Sequence, residues 1–175
     1  MILRPLSLLP RRIRSKGLPL LLLGLLGFGP LGCSGGPPGP RRLDLQLTVA
    51  TKDPLTRQQM QKGDGRYTSI RFDERGRNCR GGAGFAAFQA STPVEVRDQS
   101  GRLLGQGTLG DGTFEIKGRD PEGETLYTAC RFTVVIPLAD GARIYIVRIG
   151  GEALVRRLHV SEMHRLKGTV RLRID

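Results

Sequence analysis

The chain is poor in the residue types from which most catalytic and metal centres are built. It has two histidines, His159 and His164, and three cysteines, Cys33, Cys79 and Cys130, in 175 residues. The histidines lie in the run HVSEMH with Glu162 between them. A spacing of five puts them on different faces of a helix and on opposite sides of a strand, and no third ligand is evident. Metal binding is therefore not expected, nor any cofactor, and both histidines read as surface residues. Ser161 lacks the GxSxG setting of a nucleophile elbow and a partner acid, so no hydrolase triad is supported. Asp111, Asp120, Glu122 and Glu124 do not have the spacing of a twelve-residue calcium loop and read as charged surface loop. The letters Gly82-Ala83-Gly84-Phe85-Ala86-Ala87 match GxGxxA, but Arg77-Asn78-Cys79-Arg80 is no strand lead-in and Pro93 cuts off a long helix. Backbone amides could not then meet a pyrophosphate, and a glycine turn is the better reading.

Longer patterns are missing as well. No long stretch repeats its apolar residues every 3.6 positions, which excludes a helix-rich fold. There is no internal repeat, and no second linker divides residues 43–175, about 130 residues and a common single-domain size. The apolar run at residues 18–31 falls short of the ~20 residues that span a bilayer, and Gly24, Gly27, Gly29 and Pro30 interrupt it.

Negative charge is absent from the first 17 residues, which carry Arg4, Arg11, Arg12, Arg14 and Lys16. A basic start, an apolar run and then Gly32-Cys33 resemble a bacterial lipoprotein signal peptide, residues 1–32, cut before a cysteine that becomes acylated. Pro30 and Leu31 stand where that motif usually has Leu and a small residue. Ordinary secretion with cleavage nearby and an uncleaved anchor remain as alternatives. Arg11-Arg12 also raises a twin-arginine signal, from which Pro10 and Arg14 depart. Ser34 behind the cysteine resembles lipoproteins sent to an outer membrane. Each buried CH₂ contributes roughly 0.8 kcal/mol, so the two or three chains such a resemblance implies at Cys33 hold it permanently. Residues 33–42 then form a Pro/Gly tether, at ~3.1 Å per residue where extended.

Removing residues 1–32 takes away five positive charges and lowers the net charge from +12 to +7. A basic surface favours anionic partners such as phospholipid headgroups, lipopolysaccharide or acidic polysaccharide. Nucleic acid is not expected of an exported chain. Arg165, Lys167, Arg171 and Arg173 alternate with aliphatic residues near the C-terminus and form a possible basic face. The bland alternative is arginine spread over solvated faces.

What the chain has is alternation. Leu43, Leu45, Leu47 and Val49 are separated by Asp44, Gln46 and Thr48, the period of a half-buried strand. Residues 54–62 read as one or two helical turns, and Tyr67, Ile70 and Phe72 as a short strand. Val94 and Val96, then 103–109, form a hairpin about Asp98-Gln99-Ser100-Gly101. Further strands are expected at 113–117, 126–136, 143–149, 153–160 and 170–174, with a helical turn from Ser161. In 143–149 both faces are apolar, as for a strand covered on both sides. Seven to nine short strands imply an all-β, antiparallel sandwich of immunoglobulin-like or transthyretin-like type. Cys79 and Cys130 remain as a pair that an oxidising compartment would join. A bridge over 51 residues stabilises by roughly 4 kcal/mol on a loop-entropy estimate; two free buried thiols are the alternative.

The order Cys79, Gly81-Gly82-x-Gly84-Phe85, Pro93-Val94-x-Val96-x-Asp98-x-x-Gly101, Leu109-Gly110, Cys130-x-Phe132 and Tyr145-x-Val147 resembles uncharacterised secreted or lipid-anchored bacterial domains. These have an immunoglobulin-like sandwich, and the resemblance covers residues 43–175. It implies no active site. The chain is thus expected to be a non-enzymatic cell-envelope lipoprotein, binding an envelope protein, glycan or anionic surface. An envelope enzyme would instead require His159, Ser161 or Glu162 to converge in a pocket. A subunit of a larger complex would show a contiguous apolar patch.

Overall fold

The structure, a computed structural model, describes residues 39–62, 68–139 and 141–175. The chain divides into residues 1–34 and 35–175. The expected signal segment, Cys33, most of the tether and Tyr67 lie outside the described residues.

The described residues are mostly strand. In chain order they form β1 (Arg42–Leu55), α1 (Arg57–Lys62), β2 (Ile70–Phe72), β3 (Cys79–Gly81), a 3-10 turn (Ala83–Phe85), β4 (Pro93–Arg97), β5 (Leu103–Thr108) and β6 (Thr113–Arg119). There follow β7 (Thr125–Pro137), β8 (Ile144–Ile149), β9 (Leu154–His159), α2 (Val160–Arg165) and β10 (Thr169–Ile174). One four-stranded sheet has the order β10-β1-β7-β6 and another β5-β4-β8-β9, while β2 and β3 form a ribbon of their own.

Register follows the alternation. Leu43 faces Ile136, Leu45 faces Val134, Leu47 faces Phe132 and Val49 faces Cys130 across β1 and β7. All eight side chains are buried, and a slip of one residue would turn the whole set out to water. From β4 and β8, Val94, Val96, Tyr145, Val147 and Ile149 enter the same cluster, with Leu158, Met163 and Val170. Burying each large apolar side chain contributes about 1.5–3 kcal/mol, which is what holds short strands together.

Two expectations need correction. The sheets are not purely antiparallel: β10 runs parallel to β1, from Asp44 opposite Thr169 to Val49 opposite Ile174. The chain can do this because α2 carries it from β9, at the edge of one sheet, to β10, at the edge of the other. Nor is β8 covered on both faces. Tyr145, Val147 and Ile149 are buried, whereas Ile144, opposite His159, and Ile146, between Arg157 and Arg97, are only half-buried on the outer surface.

The turn at 98–101 is fixed by Asp98. Its carboxylate accepts hydrogen bonds from the Ser100 hydroxyl (2.6 Å) and amide (2.9 Å) and from the Arg102 amide (3.0 Å) and Nε (3.1 Å). The Ser100 hydroxyl is the largest influence, and with the Arg102 donors it outweighs desolvation and lowers the Asp98 carboxyl to about 2. No helix among the described residues is long and apolar enough to cross a membrane.

Candidate functional site

The domain has two chemically different ends. At one, the chain enters β1. Here Leu138 donates to the Arg41 carbonyl and Asp44 to the Gly168 carbonyl (both 2.8 Å), and Val160 donates to Arg143 (2.8 Å). The entry strand, the β7–β8 connection and both ends of α2 therefore gather there. The Cys79–Cys130 disulfide marks the other end: Cys130 lies opposite Val49, seven residues up β1, or about 23 Å at the usual ~3.3 Å per residue.

Charge divides along the chain. Residues 43–140 carry thirteen Arg and Lys against thirteen acids, whereas residues 141–175 carry eight against three. The net positive charge of the β domain is thus contributed by β8, β9, α2 and β10. Arg171 and Arg173 project from the outer face of the edge strand β10, and Arg165 and Lys167 are exposed at the end of α2, just before Gly168, whose carbonyl accepts from the Asp44 amide near the start of β1. The four residues of the expected basic face are spread along one edge; no contact unites them. Charged residues on β9 and β10 also oppose edge-to-edge pairing with another chain.

His159, Ser161, Glu162 and Arg165 line one open depression, and His159 Nδ1 lies 3.2 Å from the Ser161 hydroxyl. The residues required of an enzyme do share a surface. His159 and Ser161 are exposed, however, and among the described residues no acid bonds the far side of the imidazole ring. His164 does not join the group. No three His, Cys, Asp or Glu side chains among the described residues come together to hold a metal ion. Exposed large apolar side chains are distributed over β5, β6, β7, β9 and the end of α2, at Leu103, Ile116, Val135, Val155 and Leu166.

The distal end is built around the β2–β3 ribbon. Ile70, Phe72, Cys79 and Gly81 alternate with Arg71 and Arg80, which stand directly opposite each other. The inward set fastens the ribbon. Phe72 packs on Phe114 and Tyr127, with ring centroids 4.5 and 5.6 Å away, and the Arg57 guanidinium lies 4.5 Å over its ring. Cys79 and Cys130 are joined, with Cα atoms 5.7 Å apart, and the Cys79 amide donates to Gly112 (3.1 Å). A Cβ at Gly112 would lie 2.1 Å from the Cys79 carbonyl oxygen, so only glycine lets the ribbon approach β6 here.

Two depressions share Arg80. The larger, about 430 Å³, is lined by polar residues that include Asp73, Glu74, Arg75, Asn78, Ser91 and Asp111. Asp73 shapes its rim. Desolvation raises the Asp73 carboxyl, but hydrogen bonds from the amides of Arg77, Asn78 and Gly76, with the charge of Arg75, outweigh this and set it below its usual value. The smaller depression, about 230 Å³, is lined by Arg71, Arg80, Gly81, Gly82, Ala83 and Ala86. The expected glycine turn therefore forms one wall of an arginine-lined hollow. The Arg71–Arg80 pair is not singled out from sequence because Cys79 and Arg80 read there as no strand, which β3 corrects. Two arginines, each between inward-facing residues, become visible as a pair once β3 is recognised as a strand.

No known protein family, curated protein or solved structure matches the chain.

Proposed function

We propose that the protein is an exported, non-enzymatic bacterial lipoprotein, anchored through acylated Cys33. Its described domain is then an immunoglobulin-like sandwich serving as a binding module of the cell envelope. Two four-stranded sheets contributing to one apolar cluster support that fold type. The observation that carries the reading is the coincidence of charge and chain entry. Arg143, Arg165 and Lys167 of the basic segment lie at the end where the tether closes with Arg41 and Arg42, while Arg171 and Arg173 run up β10 along β1 toward the disulfide. Eight residue steps lead from Cys33 to Arg41, so at ~3.1 Å each the tether reaches about 25 Å. An anchor at Cys33 would thus keep the basic end facing the headgroups. Each Lys or Arg near an anionic leaflet contributes about 1 kcal/mol, within a screening length of about 8 Å. The opposite end, with its disulfide and two depressions, is left to meet a ligand.

Fractionation of the native host tests this. Wild-type protein should stay with membranes through a high-salt wash, and Cys33→Ser should appear in the soluble envelope fraction. Equal partition of the two would reject acylation as the anchor. The second reading, an envelope enzyme, rests on the 3.2 Å His159–Ser161 contact. It requires Ser161 to react with a fluorophosphonate, and absence of labelling dismisses it.

A further inference from the structure

We infer that the hollow between Arg71 and Arg80 is a binding site for a phosphate or sulfate group. Like charges directly opposite across two strands destabilise a ribbon, yet Arg71 and Arg80 occupy such a pair in a three-residue ladder, between the inward residues that carry the disulfide and the aromatic cluster. Neither arginine has a hydrogen-bond or ion-pair partner among the described residues, and the Nε of each is buried and unpaired. A buried donor without an acceptor is costly. Among the described residues no acid lines the hollow.

A tetrahedral oxyanion answers both faults at once. Placed between the guanidinium groups, it offers each an edge of two oxygens, the bidentate geometry arginine is suited to. The two facing charges then share one counter-ion. Gly82 makes the room. A Cβ there would lie 2.1 Å from the Thr68 carbonyl oxygen and 3.1 Å from Arg71 Cγ, so a side chain would displace the Arg71 stem. The size is also informative. At about 230 Å³ the hollow is smaller than the ~300 Å³ at which pockets for whole organic ligands begin. It fits a free anion or the terminal group of a larger molecule. Three of these features, Arg71, Arg80 and Gly82, converge from β2, β3 and the turn after it. The site does not depend on Cys33 or on membrane attachment, so its failure and that of the anchoring proposal are separable.

The test is thermal unfolding of the purified mature protein in sodium chloride, sulfate or phosphate at matched ionic strength, with titrations of inorganic phosphate and of glycerol 3-phosphate. We expect phosphate or sulfate to raise the transition temperature above its value in chloride, and Arg71→Gln with Arg80→Gln to weaken phosphate binding at least tenfold. Preference for inorganic phosphate identifies the free anion as ligand; preference for glycerol 3-phosphate identifies a terminal ester. The double variant should be no less stable than wild type in chloride, because removing both facing charges relieves their repulsion. Arg165→Ser with Lys167→Ser should leave phosphate binding unchanged. Equal stabilisation by all three salts would overturn the proposal. So would a double variant that is less stable in chloride, since the arginines would then be serving the fold alone.

Discussion

Replacing Cys79 and Cys130 together by alanine tests how the distal end is held. The bond spans 51 residues, and the loop-entropy relation gives about 4 kcal/mol lost from stability when it is removed. That is a large share of the 5–15 kcal/mol typical of a whole domain. The loss should be uneven, because β2 and β3 belong to neither four-stranded sheet. Beyond the disulfide, the ribbon is fastened to β6 and β7 chiefly by the Cys79–Gly112 backbone bond and the Phe72–Phe114–Tyr127 cluster. The chain has no tryptophan, so near-ultraviolet circular dichroism of tyrosine in a urea titration is the suitable probe, with amide hydrogen exchange alongside. The expected result is a fall of about 10–20 °C in Tm for a domain of this size. Exchange at the Gly81 amide, which donates to Phe88 (2.7 Å), should accelerate before that at Leu45 or Leu47. Dithiothreitol should reproduce both effects in the wild type. A loss under about 1 kcal/mol, with Gly81 exchange unchanged, would refute the reasoning: loop-entropy loss would then not be realised, and aromatic packing would hold the ribbon alone.

Other expectations follow from single positions. Gly112→Ala should destabilise by about 1–3 kcal/mol, as overpacking does, whereas Gly84→Ala, with nothing within 4 Å of its added Cβ, should be near neutral; paired urea titrations compare them. Phe132, fully buried on β7, should cost about 3–5 kcal/mol when cut to alanine, measured the same way. Because Asp98 titrates near 2 when folded rather than at 3.8, its contribution is complete above the unfolded value and disappears as pH falls through about 2. Asp98→Ala should therefore lower Tm at pH 7 and have little effect at pH 2, and a carboxyl resonance titrating near 4 would contradict this. In a Cys33→Ser background, replacing Arg165, Lys167, Arg171 and Arg173 by serine should reduce sedimentation with phosphatidylglycerol vesicles, and unchanged sedimentation would place the anionic contact elsewhere.

Much of the fold was legible because alternation writes itself onto strands covered on one face. The apolar sets of β1 and β7 could be read directly, as could the β4–β5 hairpin with its Asp98-to-Gly101 turn. Pairing was less legible. Nothing in Val170, Leu172 and Ile174 says that their strand runs parallel to β1; that depends on where α2 delivers the chain. Apolar residues on both faces of β8 suggested double cover, but Ile144 and Ile146 are only half-buried, Ile144 opposite His159 and Ile146 between Arg97 and Arg157. The distal site was hidden for a related reason. A three-residue strand is too short to show a period, so Cys79 and Arg80 did not read as strand and the facing arginines were not recognised as a pair. Acylation of Cys33 rests on the resemblance of the N-terminal segment to lipoprotein signals, and the basic edge is what links it to the rest of the molecule.

Intact-mass analysis of protein extracted from its native membranes tests the central claim most directly. The account predicts a chain beginning at Cys33, heavier by a diacylglyceryl group and an N-linked acyl chain, and resistant to alkylation at Cys79 and Cys130 until reduced. A chain that still begins at Met1 and takes up alkylating agent at both later cysteines without reduction would contradict it.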